Sequence, residues 1–259
     1  MRDVLRHPVR SLFDLWREMH EELVDKKLTW DHRVLVVMMV CAVSLSLQEF
    51  IGDRGYFQRL DFLPWGIRHG KQWGELWTYV WWAAWRVLGY LIIPSIVILF
   101  WKGERIRDYG WSLRGFVRHI RLYIALYVGV LPLVWLFSLT ADFKRIYPFY
   151  RLANRSTADF VIWELLYAAQ FLSLEFFFRG FMLWAVRRSL GVYAIFVMVV
   201  PYNMIHFGKT LPESLGAIFA GIILGTIALR TRSIWGGVFV HVAVALTMDF
   251  LTIGYLRPR

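Results

Sequence analysis

Seven stretches of this chain, roughly 33–50, 77–101, 121–140, 160–186, 190–207, 214–230 and 233–256, are apolar over lengths close to the ~20 residues a helix needs to cross a hydrocarbon layer. Inside a bilayer each backbone N–H and C=O must be satisfied within its own segment, so runs of this kind are read as helices. One soluble core of 259 residues would also not need the 58% hydrophobic content found here. The pattern predicts an all-α, polytopic transmembrane helix bundle of about seven spans. The second run is interrupted by Arg86 and Pro94, and Trp77, Tyr79, Trp81, Trp82 and Trp85 at its start read as an interfacial aromatic belt.

A net charge of +11 is compatible with nucleic acid as a partner, but the lysines and arginines flank the apolar runs, where anionic lipid headgroups explain them. The expected partners are the lipid bilayer and no nucleic acid. Cys41 stands alone, so no intrachain disulfide and no structural zinc cluster follows. The first residues carry charges throughout and lack the apolar core of a cleavable signal peptide. Three regions are expected: an amphipathic, basic segment at 1–32, transmembrane helices and loops at 33–158, and a core at 159–259. In the first, Val4, Leu5, Leu12, Leu15 and Trp16 alternate with Arg6, Arg10 and Arg17, which suits either a helix lying on headgroups or a frayed tail. Basic residues are modestly more frequent in the segments that share a side with the N-terminus. The expectation is thus a multi-pass protein of the cell inner membrane, N-terminus inside and C-terminus outside.

Ionisable residues within the apolar runs carry the functional signal. A charge at the centre of a membrane helix costs about 2.5–3.5 kcal/mol on insertion scales, so such a residue faces a partner, a cavity or a substrate. Glu175 and Arg179 lie four apart in SLEFFFRGF, with the acid N-terminal to the base, and Gly180 after them admits a second backbone. The guanidinium favours the ionised carboxylate at a depth where burial opposes it, which is what a general base requires. His206 in VVPYNMIHFGK can hold a water, and His241 in GGVFVHVAVALTMD can stabilise an oxyanion. Further carboxylates within reach are Glu164, Glu213 and Asp249. The small residues Gly216, Ala217, Ala220, Gly221 and Gly225 form a packing face on the sixth run.

The order E-x-x-x-R, then Tyr202-x-x-x-His206, then a late histidine in a Gly-rich apolar helix resembles the CAAX prenyl endopeptidase and bacteriocin-processing (CPBP) family of intramembrane proteases, over roughly 160–256. Residues 159–259 would then be a CPBP-like core. RDYGWSLRG, Arg107 to Gly115, is similar to the loop that precedes that core. The resemblance implies a glutamic-type endopeptidase acting on a membrane-embedded or lipidated peptide, with Glu175, Arg179, His206 and His241 as catalytic positions. Two positions depart from the family's pattern. Its motif has a double glutamate whose first, catalytic member aligns with Leu174, and its last histidine is followed four residues later by Asn or a similar polar residue, here Ala245.

Structural readings stand beside these. Glu175 and Arg179 can be an interhelical ion pair, His206 a marker of the water interface, His241 a satisfied interhelical hydrogen bond, and Glu164, Glu213 and Asp249 structural or interfacial groups. At the level of function the alternatives are a catalytically inactive CPBP-like protein in peptide binding, immunity or assembly, and a proton-coupled transporter, for which no internal repeat is visible. No cofactor is expected. Zinc held by Glu175, His206 and His241 is the metal-dependent alternative, although no H-E-x-x-H run is present.

Overall fold

A computed structural model describes residues 12–24, 31–70 and 73–256. Its helices, in chain order, are α1 (Leu12–Leu23), α2 (His32–Phe50), α3 (Arg54–Gln58), α4 (Trp65–His69), α5 (Gly74–Val87), α6 (Ile93–Phe100), α7 (Leu113–Arg118), α8 (Ile120–Ser138), α9 (Ala141–Ile146), α10 (Thr157–Glu175), α11 (Leu183–Leu190), α12 (Tyr193–Met204), α13 (Leu211–Thr231) and α14 (Trp235–Leu256). Two π-helical turns, Leu88–Ile92 and Phe176–Met182, join α5 to α6 and α10 to α11. Six helical runs are long and apolar enough to cross a membrane: His32–Phe50, Gly74–Phe100, Ile120–Ser138, Thr157–Leu190, Leu211–Thr231 and Trp235–Ile253. The protein is a polytopic helical membrane bundle.

The apolar run 190–207 differs from the other six. It yields only the 12-residue α12, about 18 Å long at 1.5 Å per residue, too short for a hydrocarbon layer of about 30 Å. Gly191, at φ 54°, closes α11 before α12 begins, and residues 205–208 turn where the run was expected to continue as helix.

Proline accounts for the break in the second span. Pro94 has no N–H and its ring presses on the carbonyl four residues back, and the π turn Leu88–Ile92 widens the helix ahead of it. Arg86 in the same span faces inward, donating to Gln48 Oε1 (2.9 Å) and the Tyr90 hydroxyl (3.3 Å). The expected aromatic belt divides: Trp77 is exposed, whereas Tyr79 is buried against Trp163.

The run α10–π–α11 is the axis of the core, with Phe176, Phe177, Phe178 and Phe181 fully buried and Leu183 and Val186 beside them. Polar side chains at its start and at that of α13 satisfy N–H groups left free at a helix beginning: Ser156 accepts from Asp159 N and Thr210 from Glu213 N. On α13, added Cβ atoms at Gly221 and Gly225 would meet Val199 and Met198 at 2.9 Å, so the small-residue face presses onto α12; Gly216 meets nothing and lies outside that contact. Of the N-terminal segment, α1 packs against the bundle: its Trp16 donates to Thr226 Oγ1 (3.3 Å) and its Met19 joins the core. Val4, Leu5, Arg6 and Arg10 lie outside the described residues.

Candidate active site

Glu175 is the last residue of α10, and the π turn begins at the next residue. The i,i+4 relation expected of an α-helix is therefore realised across a wider turn, a feature frequent at functional sites. Both side chains of the pair are completely buried, with Arg179 Nη1 3.1 Å from Glu175 Oε1. The guanidinium lies over the Tyr202 ring, its Cζ 3.8 Å from the centroid, so the cation has a carboxylate and an aromatic face as neighbours. Gly180 performs its expected role: a Cβ there would lie 2.8 Å from the carbonyl oxygen of Tyr109, in the connection between α6 and α7.

His241 enters from α14. Its Nδ1 is 3.0 Å from Glu175 Oε1 and 3.0 Å from the carbonyl of Gly237, one turn earlier. With two acceptors at Nδ1, that nitrogen carries the hydrogen, and in the neutral ring Nε2 accepts from the Tyr202 hydroxyl at 3.0 Å. Phe171 stacks on the imidazole at a centroid distance of 5.3 Å. Gly237 makes the approach possible, because a side chain there would overlap the Glu175 carboxylate.

His206 occupies the turn between α12 and α13. Its Nδ1–H donates to the Tyr202 carbonyl (2.8 Å), its ring meets Tyr202 edge-on at 4.9 Å, and Ser214 fixes its backbone by donating to its carbonyl (2.7 Å). Burial, reinforced by the nearby Lys209 ammonium, pushes the imidazole down to about 3, so the ring is neutral at physiological pH. Tyr202 thus links the two histidines: its side chain contacts His241 and its main chain holds His206.

The other carboxylates sit apart from this centre. Glu213 accepts from the Tyr147 hydroxyl (2.5 Å) and Thr210 Oγ1 (3.2 Å) and pairs with Lys209 at 3.6 Å. Asp249 is fully buried and accepts from Trp163 Nε1 (2.6 Å), and Glu164 faces it across the α10–α14 contact. Leu174 is buried in the main core among the phenylalanines of the π turn, and Ala245 in a second cluster with Phe171 and Trp163.

Sequence reasoning placed Glu175, Arg179, His206 and His241 near one another, and the structure gathers Glu175, Arg179 and His241 directly, with His206 one residue's width away through Tyr202. It had Tyr202 only as the first position of the Tyr202-x-x-x-His206 motif, without a role of its own, and did not identify Gly237 as part of the site. Gly237 precedes His241 by four residues, which places it on the same helix face, and that spacing was the available signal.

Neither oxygen of Glu175 and none of the three Arg179 nitrogens has an aligned hydrogen bond within the protein, although the charged groups lie close. Buried polar atoms left without partners cost about 1–3 kcal/mol each, so this carboxylate and guanidinium keep capacity for a water or a peptide. Among the described residues no group of three His, Cys, Asp or Glu side chains is arranged to hold a metal ion, and Glu175, His206 and His241 do not form one.

Comparison with curated proteins gives no match, nor does comparison with solved structures. Residues 156–247 match a family described as Rce1-like, type II CAAX prenyl endopeptidase Rce1-like, and this stretch contains Glu175, Arg179, Tyr202, His206 and His241. The part of the membrane bundle that assembles around the buried Glu175–His241 contact is accordingly the part that is similar to the Rce1-like type II CAAX prenyl endopeptidases.

Proposed function

We propose that the protein is an intramembrane endopeptidase that hydrolyses a membrane-associated peptide with water activated by Glu175. The observation that carries this reading is the 3.0 Å contact between Glu175 and His241 beside the unaligned Arg179 guanidinium. In the proposed reaction the carboxylate takes a proton from water as its oxygen adds to the scissile carbonyl carbon. The resulting oxyanion is met by N–H groups of Arg179, and the proton passes from Glu175 to the departing amine as the C–N bond breaks. Both nitrogens of His241 are engaged, with Glu175 and Gly237 at Nδ1 and Tyr202 at Nε2, so its role shifts from oxyanion donor to positioning of the base. His206, neutral and with Nδ1 committed to a carbonyl, offers Nε2 as a second acceptor for the water.

The test is cleavage of fluorogenic, membrane-anchored peptides by the full-length protein in proteoliposomes. Glu175→Gln, which keeps the shape of the side chain but leaves the buried Arg179 charge uncompensated, is expected to abolish turnover and to lower the unfolding temperature, so turnover is compared at a temperature where both proteins are folded. Equal turnover in wild type and variant would remove Glu175 as the base. A second reading, a peptide-binding relative without protease activity, is favoured by Leu174 and Ala245 at positions where the family carries polar groups. In that case wild type and Glu175→Gln would both retain labelled peptide and release no product.

A further inference from the structure

A polar cavity of about 480 Å³ lies at the end of the bundle where α11 and α13 finish. Its walls carry five arginines from four separate elements: Arg33 at the start of α2, Arg107 in the loop after α6, Arg187 and Arg188 in the last turn of α11, and Arg232 at the end of α13. The opposing carboxylates are Glu104 and Asp108, which leaves the lining at a net charge of +3. Arg33 donates to Glu104 at 2.7 Å. Among the described residues, Arg107, Arg187, Arg188 and Arg232 have no ion-pair partner.

Helix C-termini offset part of this charge, since the carbonyl ends of α11 and α13 open here, but each contributes only about half a negative charge. Arg232 also holds a left-handed backbone conformation, φ 55°, where glycine or asparagine is the easier residue. Tryptophans flank the arginines: Arg187 lies over Trp184 with its Cζ 3.8 Å from the ring, and Arg33 over Trp101 at 5.4 Å. Guanidinium groups brought together from separate elements repel unless an anion with several oxygens lies between them, and arginine forks match phosphoryl oxygens two at a time. Indole rings beside them are the usual company of groups at headgroup depth.

We propose that this cavity binds a phosphoryl anion, carried by an anionic lipid headgroup or by a small soluble phosphate ester. It is separate from the proposed hydrolytic centre: Arg187 lies twelve residues beyond Glu175 along the α10–π–α11 run, about 18 Å of helix, and α13 sets Arg232 about 30 Å from its other end, beside His206.

The test uses full-length protein in neutral detergent at fixed ionic strength, so that general screening is constant. Short-chain phosphatidylglycerol, phosphatidylcholine, glycerol 3-phosphate and inorganic phosphate are titrated, with binding read from thermal unfolding and native mass spectrometry. Phosphatidylglycerol is expected to bind wild type and Arg121→Gln, which removes an exposed charge outside the cavity, with equal affinity. Arg187→Gln/Arg232→Gln should bind it more than about tenfold more weakly, as expected for losing charge-assisted hydrogen bonds. Should the double variant fail to fold, the exposed Arg232→Gln alone carries the test, with a loss of about fivefold. Competition by glycerol 3-phosphate or inorganic phosphate would identify a soluble ester as the ligand, and binding of the lipid without such competition would identify a headgroup. Equal affinity of wild type and both cavity variants for every probe, or phosphatidylcholine bound as tightly as phosphatidylglycerol, would overturn the proposal.

Discussion

Glu175 Oε2 occupies the space that a side chain on residue 237 would fill, so the absence of a Cβ from Gly237 is a condition for the carboxylate to reach His241. Gly237→Ala should therefore displace the base. A shift of about 1 Å is enough for a loss of about a hundredfold in turnover. Overpacking adds a stability cost of about 1–3 kcal/mol. Peptide turnover and thermal unfolding of the same preparation separate the two effects. Undiminished turnover would mean that Glu175 is not held by this contact.

Removing one member of the buried ion pair leaves the other charge uncompensated. Arg179→Ala should destabilise the protein by about 3–5 kcal/mol, and Glu175→Ala by a similar amount, which makes alanine a poor probe of catalysis at either position. The double variant Glu175→Leu/Arg179→Met should recover most of that stability and none of the cleavage. Denaturation in mixed micelles checks the first half and the proteoliposome assay the second.

His206 gives a pH dependence of defined sign. Its folded-state pKa, about 3, lies below the ordinary value of about 6.5, so the unfolded chain binds more protons between these limits. The stability it contributes is fully present above about pH 6.5 and is lost as pH falls through that window towards 3. The unfolding temperature of wild type should fall more steeply from pH 6.5 to pH 4 than that of His206→Gln. Parallel curves would show that the imidazole is not held neutral.

Leu174 is 4% exposed and packs in the phenylalanine core. Leu174→Glu, which would recreate the family's paired acids, should bury an unpaired carboxyl and lower stability without raising turnover. A gain in cleavage above wild type would transfer the role of base away from Glu175.

Metal removal tests the donor set. The Nδ1 and Nε2 atoms of His241 are both engaged, as is Nδ1 of His206, and dialysis against a strong chelator is expected to leave turnover unchanged. Loss of activity on chelation, restored by zinc, would overturn this expectation.

The long runs 33–50, 121–140, 214–230 and 233–256 were legible because continuous apolar sequence fixes helices within a few residues: α2, α8, α13 and α14 begin and end close to them. Run 190–207 was not, because hydropathy averages over Gly191 and over the turn that begins after Met204, and only backbone geometry shows that the helix stops there. At the site, intramembrane charge pointed to Glu175, Arg179 and His241. Tyr202 was visible as a motif position, but its role was not, because its side-chain hydroxyl and main-chain carbonyl serve different histidines, a division of labour that residue type does not encode. The π turn at Phe176–Met182 was equally invisible, since the wider turn depends on how four phenylalanines pack rather than on a local propensity.

The brevity of α12 has a consequence for the membrane itself. α12 is about 12 Å shorter than the hydrocarbon is thick, so this helix by itself cannot carry the chain across. Polar backbone inside a bilayer is tolerated only where protein covers it or water reaches it, and at the turn 205–208 Ser214 supplies part of that cover by donating to the His206 carbonyl. On the reading proposed above, water for hydrolysis enters at this turn, where the helix stops short of a full crossing.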